Sequence, residues 1–548
     1  MKWQYLTAAV MGLGLAHSAF AYQAGKTYRF TVVHTNDTHG RFWENDHGEY
    51  GFAAEKAVID AIKKDVAAKN GSVILLHAGD FNTGVPESDV QQAKPDIEGM
   101  NRIGFEATVL GNHEFDNPQS VLKQQERWAN FPFLSANVLY KNTGKHFVKP
   151  YTILKKNGLK VAVVGLTTED SEKMSSAKNV AGLSFADPTH AANKTLNEIN
   201  RKEKPDVRIA LTHMGYYNNA NHGDNAPGDV TLARNLPKGA FDLIVGGHSH
   251  TRVCLNEDGS LNEKYEPTQA CRPDFQNGTW IVQAGEWGKY VGRADFEFKD
   301  GKTRLVSYQL VPINLKKKVK GADGQSTYVP YTSFVPDSKL YNYLKTYQDK
   351  GGQLLNVKVG QTTGVFEGQR EVVRYRPSNL GHLITQAMME RAQADIGIFN
   401  GGGIRDSLPA GELTYKDVLK VHPFGNILSH VTLTGAELQD YLSKVALIST
   451  GNGGYPHFTN NLKMTVNRTA GTVSDVTLNG KPLDMNKKYR IAFTNFNAEG
   501  GDGYPKLNKH PSYVETGYID AEIMKDYLTK NSPVDAARFE PKNEIVFK

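Results

Sequence analysis

Seven oxygen- and nitrogen-bearing side chains stand out by type and spacing: Asp37, His39, Asp80, Asn112, His213, His248 and His250. Four ligands saturate a tetrahedral ion, so seven suit two divalent ions that share one carboxylate. In Asp37-x-His39 an extended chain turns both side chains to one side, where both can reach the same ion. His248-x-His250 repeats that spacing, although its two rings can serve different ions. Asp80, alone after its apolar run, is the natural bridge. Imidazole mixed with carboxylate suits Zn, Mn, Co or Fe and disfavours an all-oxygen Mg or Ca site. The chemistry of such a pair is activation of water and clamping of the oxygens of an attacked phosphate. His113 directly follows Asn112, and Asp116, three residues on, can bond its ring and fix the tautomer. Each residue also has a plain structural use. A lone His after a strand caps a loop, and Asp116 could cap a helix beginning at Asn117. His34, His77 and His222 lie near the motifs without matching them and read as structural or supporting residues.

The elements that must position these groups follow from the same stretches. Apolar, β-branched runs at 30–33, 73–76, 107–110, 207–211 and 241–245 each stop abruptly at Asp, Asn, His or Gly. Short runs of that kind bounded by glycine are buried strands. Helical patterns at 53–69 and 117–129 lie between them. Alternating strands and helices imply an α/β domain with covered sheet faces, and ligands gather past the carboxyl ends of its strands. Five strands here deliver a metal-capable side chain at that end. Residues 336–357 read as a polar helix broken by Gly351-Gly352. Beyond it the glycine clusters and mixed strands and helices of 358–548 indicate a second domain.

Bulk properties bound the rest. The 548 residues allow two or three cores, and 39% hydrophobic with 22% charged residues is ordinary for a globular chain. A formal charge of +6 without a long basic stripe gives no nucleic-acid footprint. The short run Lys316-Lys317-Lys318 with Lys320 reads as a solvated turn. Lys2, the apolar residues 6–15 and Ala19-Phe20-Ala21 have the form of a secretory signal cleaved after Ala21. That stretch is too short to span a membrane, and neither a lipoprotein cysteine nor an apolar C-terminal tail is present, so a free periplasmic protein is expected. In an oxidising compartment the two cysteines, Cys254 and Cys271, are expected to pair.

Asp-x-His, Gly-Asp, Gly-Asn-His-Glu, a lone His and Gly-His-x-His together resemble the calcineurin-like metallophosphoesterases. The wording Thr35-Asn36-Asp37, Gly111-Asn112-His113-Glu114-Phe115-Asp116, Thr212-His213-Met214-Gly215 and Gly246-Gly247-His248-Ser249 is similar to the 5′-nucleotidase branch over almost the whole chain. It is most similar to the bacterial periplasmic enzymes that combine UDP-sugar hydrolase and 5′-nucleotidase activity. The resemblance implies a metallophosphoesterase αββα sandwich at 22–335, a linker helix at 336–357 and an α+β nucleotide-binding domain at 358–548. It implies one ion on Asp37, His39, Asp80 and the residue at 250, and another on Asp80, Asn112, His213 and His248. Zinc is the first candidate, with Mn or Co as alternatives. The His113–Asp116 dyad would assist the transition state.

Two positions depart from those bacterial enzymes. His250 stands where they have Gln, as in animal ecto-5′-nucleotidases, and Gly285 stands where they have His.

On the substrate side, Arg370, Arg374 and Arg405, the last beside Gly401-Gly402-Gly403, suit phosphate by bidentate contact. The loops at 422–426 and 495–504 each carry a phenylalanine able to stack on a base. By the resemblance, Phe424 and Phe496 sandwich the base, Asn426 contacts its edge and Asp502 holds ribose hydroxyls. Catalysis then requires the two domains to come together by rotation at the linker helix. The expected substrates are nucleotides and nucleotide sugars, acted on by a monomer. An NAD pyrophosphatase or a 2′,3′-cyclic nucleotide phosphodiesterase is the nearest rival, and a periplasmic nucleotide-binding protein without catalysis is a rival of another class.

Overall fold

The computed structural model describes residues 22–175, 178–217, 226–320 and 326–548; the expected signal peptide and His222 lie outside the described residues. Two six-stranded sheets build the first half. One runs in the order Lys302–Pro312, Tyr290–Lys299, Tyr28–Thr35, Ser72–His77, Ala107–Val109, Phe133–Leu134. The other runs Asp274–Gln276, Thr279–Val282, Leu243–Val245, Val207–His213, Leu159–Thr167, Tyr151–Lys156. All five strands expected to carry ligands exist, and their pairings with one another are parallel. Register then aligns their ends: Thr35 pairs with His77 and His77 with Thr108, so the loops carrying Asp37, Asp80 and Asn112 leave the sheet side by side.

The sheets face each other across one apolar layer containing Phe30, Ile74, Val109, Val163, Ile209 and Val282. Their outer faces are covered by helices. Phe52–Ala68 buries Phe52, Val58, Ile59, Ile62 and Val66, the spacing of one helical face, against the first sheet. Pro188–Lys202 covers the second through Ala192, Leu196 and Ile199. This is the expected αββα sandwich. Cys254 and Cys271 are joined by a disulfide across 17 residues and lie in the layer between the sheets. The basic run is not a turn. Lys316–Lys320 forms an exposed strand paired with Ser326–Pro330, a two-stranded ribbon in which lysine side chains keep to water.

Ser338–Leu355 is a continuous helix, capped by Asp337 through a 2.8 Å bond from the Leu340 amide. The expected break at Gly351-Gly352 does not occur. Gly351 is buried against Glu87, where a Cβ would come within 2.8 Å of the glutamate Cβ, so this glycine serves close approach. After the helix, a five-stranded sheet (Pro456–Phe458, Ile396–Asn400, Lys488–Thr494, Ile427–Thr434, Val514–Ile519) and a four-stranded sheet carry their own core. Asn379–Ala392 and Asp520–Asn531 supply a helical layer.

Candidate active site

The loops that follow the parallel strands are strained where the chemistry was expected. Asp37, His39, Asp80, His248 and His250 all have positive φ, between 48° and 82°, as does Trp287 at 61°. Such backbone is costly for non-glycine residues and persists only where surroundings impose it. Here the imposing contacts are visible. Glu114 accepts hydrogen bonds from the amides of Asp80 (2.9 Å), Phe81 (3.1 Å) and Gly111 (2.7 Å), tying two loops to one carboxylate. Trp287 donates its amide to the Asp37 carbonyl at 2.7 Å.

The imidazoles are held from behind. His39 donates Nδ1 to the Thr83 carbonyl at 2.9 Å, and His213 donates Nδ1 to the Ala78 carbonyl at 2.7 Å. His250 Nδ1 lies 2.6 Å from Glu286. Each anchor fixes the tautomer and turns Nε2 inward. His250 Nε2 then lies 3.2 Å from His39 Nε2 and 3.4 Å from Asp37 Oδ1. His213 Nε2 lies 2.9 Å from Asp80 Oδ2, buried and without hydrogen-bond geometry. His248 Nδ1 is 2.8 Å from Asn112 Oδ1.

Ligand atoms of Asp37, His39 and His250 all fall within 4.8 Å of one another, as do those of Asp80, His213 and His248. Metal–ligand bonds of about 2 Å require separations of this order. A third cluster, His39, Asp80 and His113, shares His39 with the first and Asp80 with the second. Converging donors, anchored rings and a buried His213 Nε2 turned onto the Asp80 carboxylate fit divalent metal ions.

His113 Nδ1 lies 2.6 Å from Asp116 Oδ2. The expected alternative, Asp116 as a helix cap, is absent: the following helix begins at Gln119, with Pro118 at its cap position. Burial alone would lower the pKa of His113, but Asp116 and then Asp80 outweigh it and hold it above the ordinary value.

Across the crevice, three guanidinium groups crowd together. Burial, then Arg370 and Arg405, push Arg374 down to about 9. Arg405 lies 5.5 Å from the Phe424 ring centroid, and Phe424 stacks on His113 at 5.8 Å with an interplanar angle of 16°. The loop carrying Phe424 thus faces the dyad directly. Asp502 accepts from Asn400 Nδ2 at 2.8 Å, and burial raises its pKa against the pull of Arg374. Phe496 lies flat against Gly501, where a Cβ would meet its ring at 2.5 Å. Phe424 and Phe496 make no ring contact with each other among the described residues, and Asn426 spends its amide on Asp520 at 3.0 Å.

Sequence reasoning missed Glu114, Glu286 and Arg41. Glu114 stood inside the motif Gly111–Asp116 and Glu286 directly after Gly285, and a carboxylate next to a singled-out position was their only signal. His34 and His77 are buried and pushed to about 3, hence neutral. His34 lies 3.2 Å from the Tyr308 hydroxyl and His77 3.1 Å from Thr38, which are structural roles.

This sandwich and donor set define a class: residues 30–252 match the calcineurin-like phosphoesterases, and residues 358–509 the 5′-nucleotidase C-terminal domain. Within that class, the chain is 52% identical over 548 residues to a 5′-nucleotidase of Vibrio cholerae, covering 99% of this chain and 98% of the relative. It is 50% identical over 531 residues to the protein UshA of Escherichia coli, covering 97% and 96%. The crystal structure of a 5′-nucleotidase precursor from Thermus thermophilus is 29% identical, with a TM-score of 0.74 over 95% of this chain and 99% of that one. The chain belongs to the calcineurin-like phosphoesterases that carry a 5′-nucleotidase C-terminal domain, a family that uses divalent metal ions. No helix among the described residues is long and apolar enough to cross a membrane.

Proposed function

We propose that this chain hydrolyses nucleoside 5′-phosphates and UDP-sugars, releasing phosphate from AMP, and UMP plus glucose 1-phosphate from UDP-glucose. The supporting observation is that the His113–Asp116 dyad, at the edge of the His/Asp clusters, is stacked by Phe424 from the second half of the chain. Two divalent ions, zinc first with Mn or Co as alternatives, would be held by Asp37, His39, Asp80 and His250 on one side and Asp80, Asn112, His213 and His248 on the other. When bound, such ions supply Lewis acidity to phosphoryl oxygens and lower the pKa of an attacking water.

The chain's own residues do the rest. Asp116 fixes His113 so that Nε2 faces the crevice and donates to a phosphoryl oxygen as negative charge builds there. Arg370, Arg374 and Arg405 bind the remaining oxygens and pay back their mutual repulsion on an anion. Phe424 and Phe496 hold the base, Asn426 its edge and Asp502 the ribose hydroxyls. Water oxygen bonds to phosphorus, the bond to the leaving oxygen breaks, and a proton reaches that oxygen. The work is that of an exported, periplasmic monomer whose two halves rotate about the helix Ser338–Leu355 between turnovers.

The test is turnover by purified, metal-loaded protein of AMP, UDP-glucose and 2′,3′-cyclic AMP, with and without chelator, following phosphate, UMP and glucose 1-phosphate. Chelator-sensitive release from AMP and UDP-glucose is expected. Preferential turnover of the cyclic ester would move the chain to another substrate class. No turnover of any nucleotide by metal-loaded protein would leave a nucleotide-binding protein as the better account.

A further inference from the structure

Arg41 belongs to none of the substrate motifs, yet it stands at the rim of the His/Asp clusters. Its guanidinium lies over the Trp287 indole, 4.0 Å from the ring centroid, and its Nη1 donates to the His39 carbonyl at 2.7 Å. Gly84 makes room for it: a Cβ there would fall 2.9 Å from Nη1. Arg41 forms no ion pair with a carboxylate among the described residues. The neighbouring Glu286 is already engaged by His250 at 2.6 Å and Lys289 at 2.8 Å. Asp89, the other acid nearby, is half-buried and pushed up to about 7 by desolvation, so it offers only a partial countercharge at neutral pH.

Arg405, from the glycine-rich turn of the other half, lies close enough that the two like charges repel across the crevice. Arg41 therefore faces Arg405, one of the three clustered arginines, from the wall that carries the His/Asp clusters. One guanidinium bond is spent on backbone, and the rest of the fork is available to a ligand. A planar fork propped on an indole is preorganised for bidentate contact with a phosphoryl group. One phosphoryl group is already served by Arg370, Arg374 and Arg405, which leaves Arg41 for a second anionic group on the same substrate.

We propose that Arg41, propped on Trp287, binds the second phosphoryl group of diphosphate-containing nucleotides and thereby biases the site toward diphosphate esters over monophosphates. This rests on the hydrolase reading above and adds a specificity-determining residue to it.

The experiment compares kcat/KM for AMP, ADP and UDP-glucose in metal-loaded wild type, Arg41→Gln and Arg41→Lys. Arg41→Gln keeps a donor for the His39 carbonyl and removes the charge. A lost charged hydrogen bond to phosphate should lower the diphosphate-to-AMP ratio about tenfold or more. Arg41→Lys, which keeps the charge but loses the fork, should fall between. Bound metal content and melting temperature are read in parallel. A ratio that stays constant in both variants overturns the proposal: an equal loss on all substrates would show that Arg41 acts only through His39, and no loss would show that it acts on nothing. Wild type that turns over AMP but neither diphosphate overturns it while sparing the reaction class. Wild type inert toward all three overturns the reading beneath it.

Discussion

Asp116 and His113 form a pair whose value lies in a single 2.6 Å contact. Asp116→Asn keeps the shape but removes the charge that outweighs burial and holds His113 above its ordinary pKa. We expect kcat to fall about 100-fold, the usual scale of one positioned proton-handling group, with metal content unchanged. His113→Ala should cost a similar factor and the double variant little more, because the two act as one unit. Additive losses would show two independent roles instead. A second residue-scale expectation concerns Glu55, which lies 1% exposed on the inner face of the helix Phe52–Ala68 with Oε1 unpartnered, and is pushed by burial to about 8. Its folded pKa exceeds its unfolded one, so its favourable contribution is complete below about 4.5 and is lost as pH rises through about 8. Glu55→Gln removes this titration. Relative to wild type the variant should gain stability between pH 5 and pH 8, on the order of a few kcal/mol, measured by denaturant unfolding at both pH values. A pH-independent difference would mean that Glu55 is ionised or solvated in the fold.

At the scale of elements, glycines show which backbone approaches matter. A Cβ on Gly111, at the end of Ala107–Val109, would fall 2.2 Å from Asp80 Oδ1. Gly111→Ala should therefore displace the carboxylate shared by the clusters, lowering metal content by mass spectrometry and phosphate release together. In the helix Ser338–Leu355, Gly352 has nothing within 4 Å of its Cβ position, whereas Gly351 abuts Glu87. Gly352→Ala should stabilise by about 0.5–1 kcal/mol and Gly351→Ala should destabilise, read as shifts in the denaturation midpoint. Equal effects at both positions would contradict the packing.

The same residues mark what sequence could and could not carry. Strand ends were legible because a short apolar run stopping at Asp or His is a local pattern, and the sheet register that aligns Thr35, His77 and Thr108 follows from parallel pairing. Gly351 misled because a helix-breaking glycine and a close-approach glycine look identical until the neighbour, Glu87, is known. Arg41 was invisible for the same reason. Its partners Trp287 and Arg405 are brought to it only by the folded chain.

At the scale of the whole molecule, the question is what holds the two halves together over the crevice. One contact does so outside the site. Glu87, its side chain 2% exposed, pairs with Lys416 from the second half and accepts from Gln348 of the linking helix at 3.3 Å. Three segments thus meet on one buried carboxylate, at the point where Gly351 allows the helix to come close. If the halves open as proposed, removing the lysine penalises the closed form, in which Glu87 has lost its cation, more than an open form that admits water on that side. Lys416 is itself 34% exposed, which limits the effect to about 1–2 kcal/mol. Lys416→Met should therefore raise KM for AMP about tenfold, enlarge the radius of gyration in solution scattering and leave metal content alone. Adding Glu87→Gln should restore part of the affinity, since the neutral amide no longer penalises closure. A disulfide engineered between the halves to lock them closed should stop turnover while metal stays bound, because product cannot leave and substrate cannot enter. If the locked protein turns over at the full rate and Lys416→Met leaves both KM and radius unchanged, the halves do not move during catalysis and the contact at Glu87 only supports the fold.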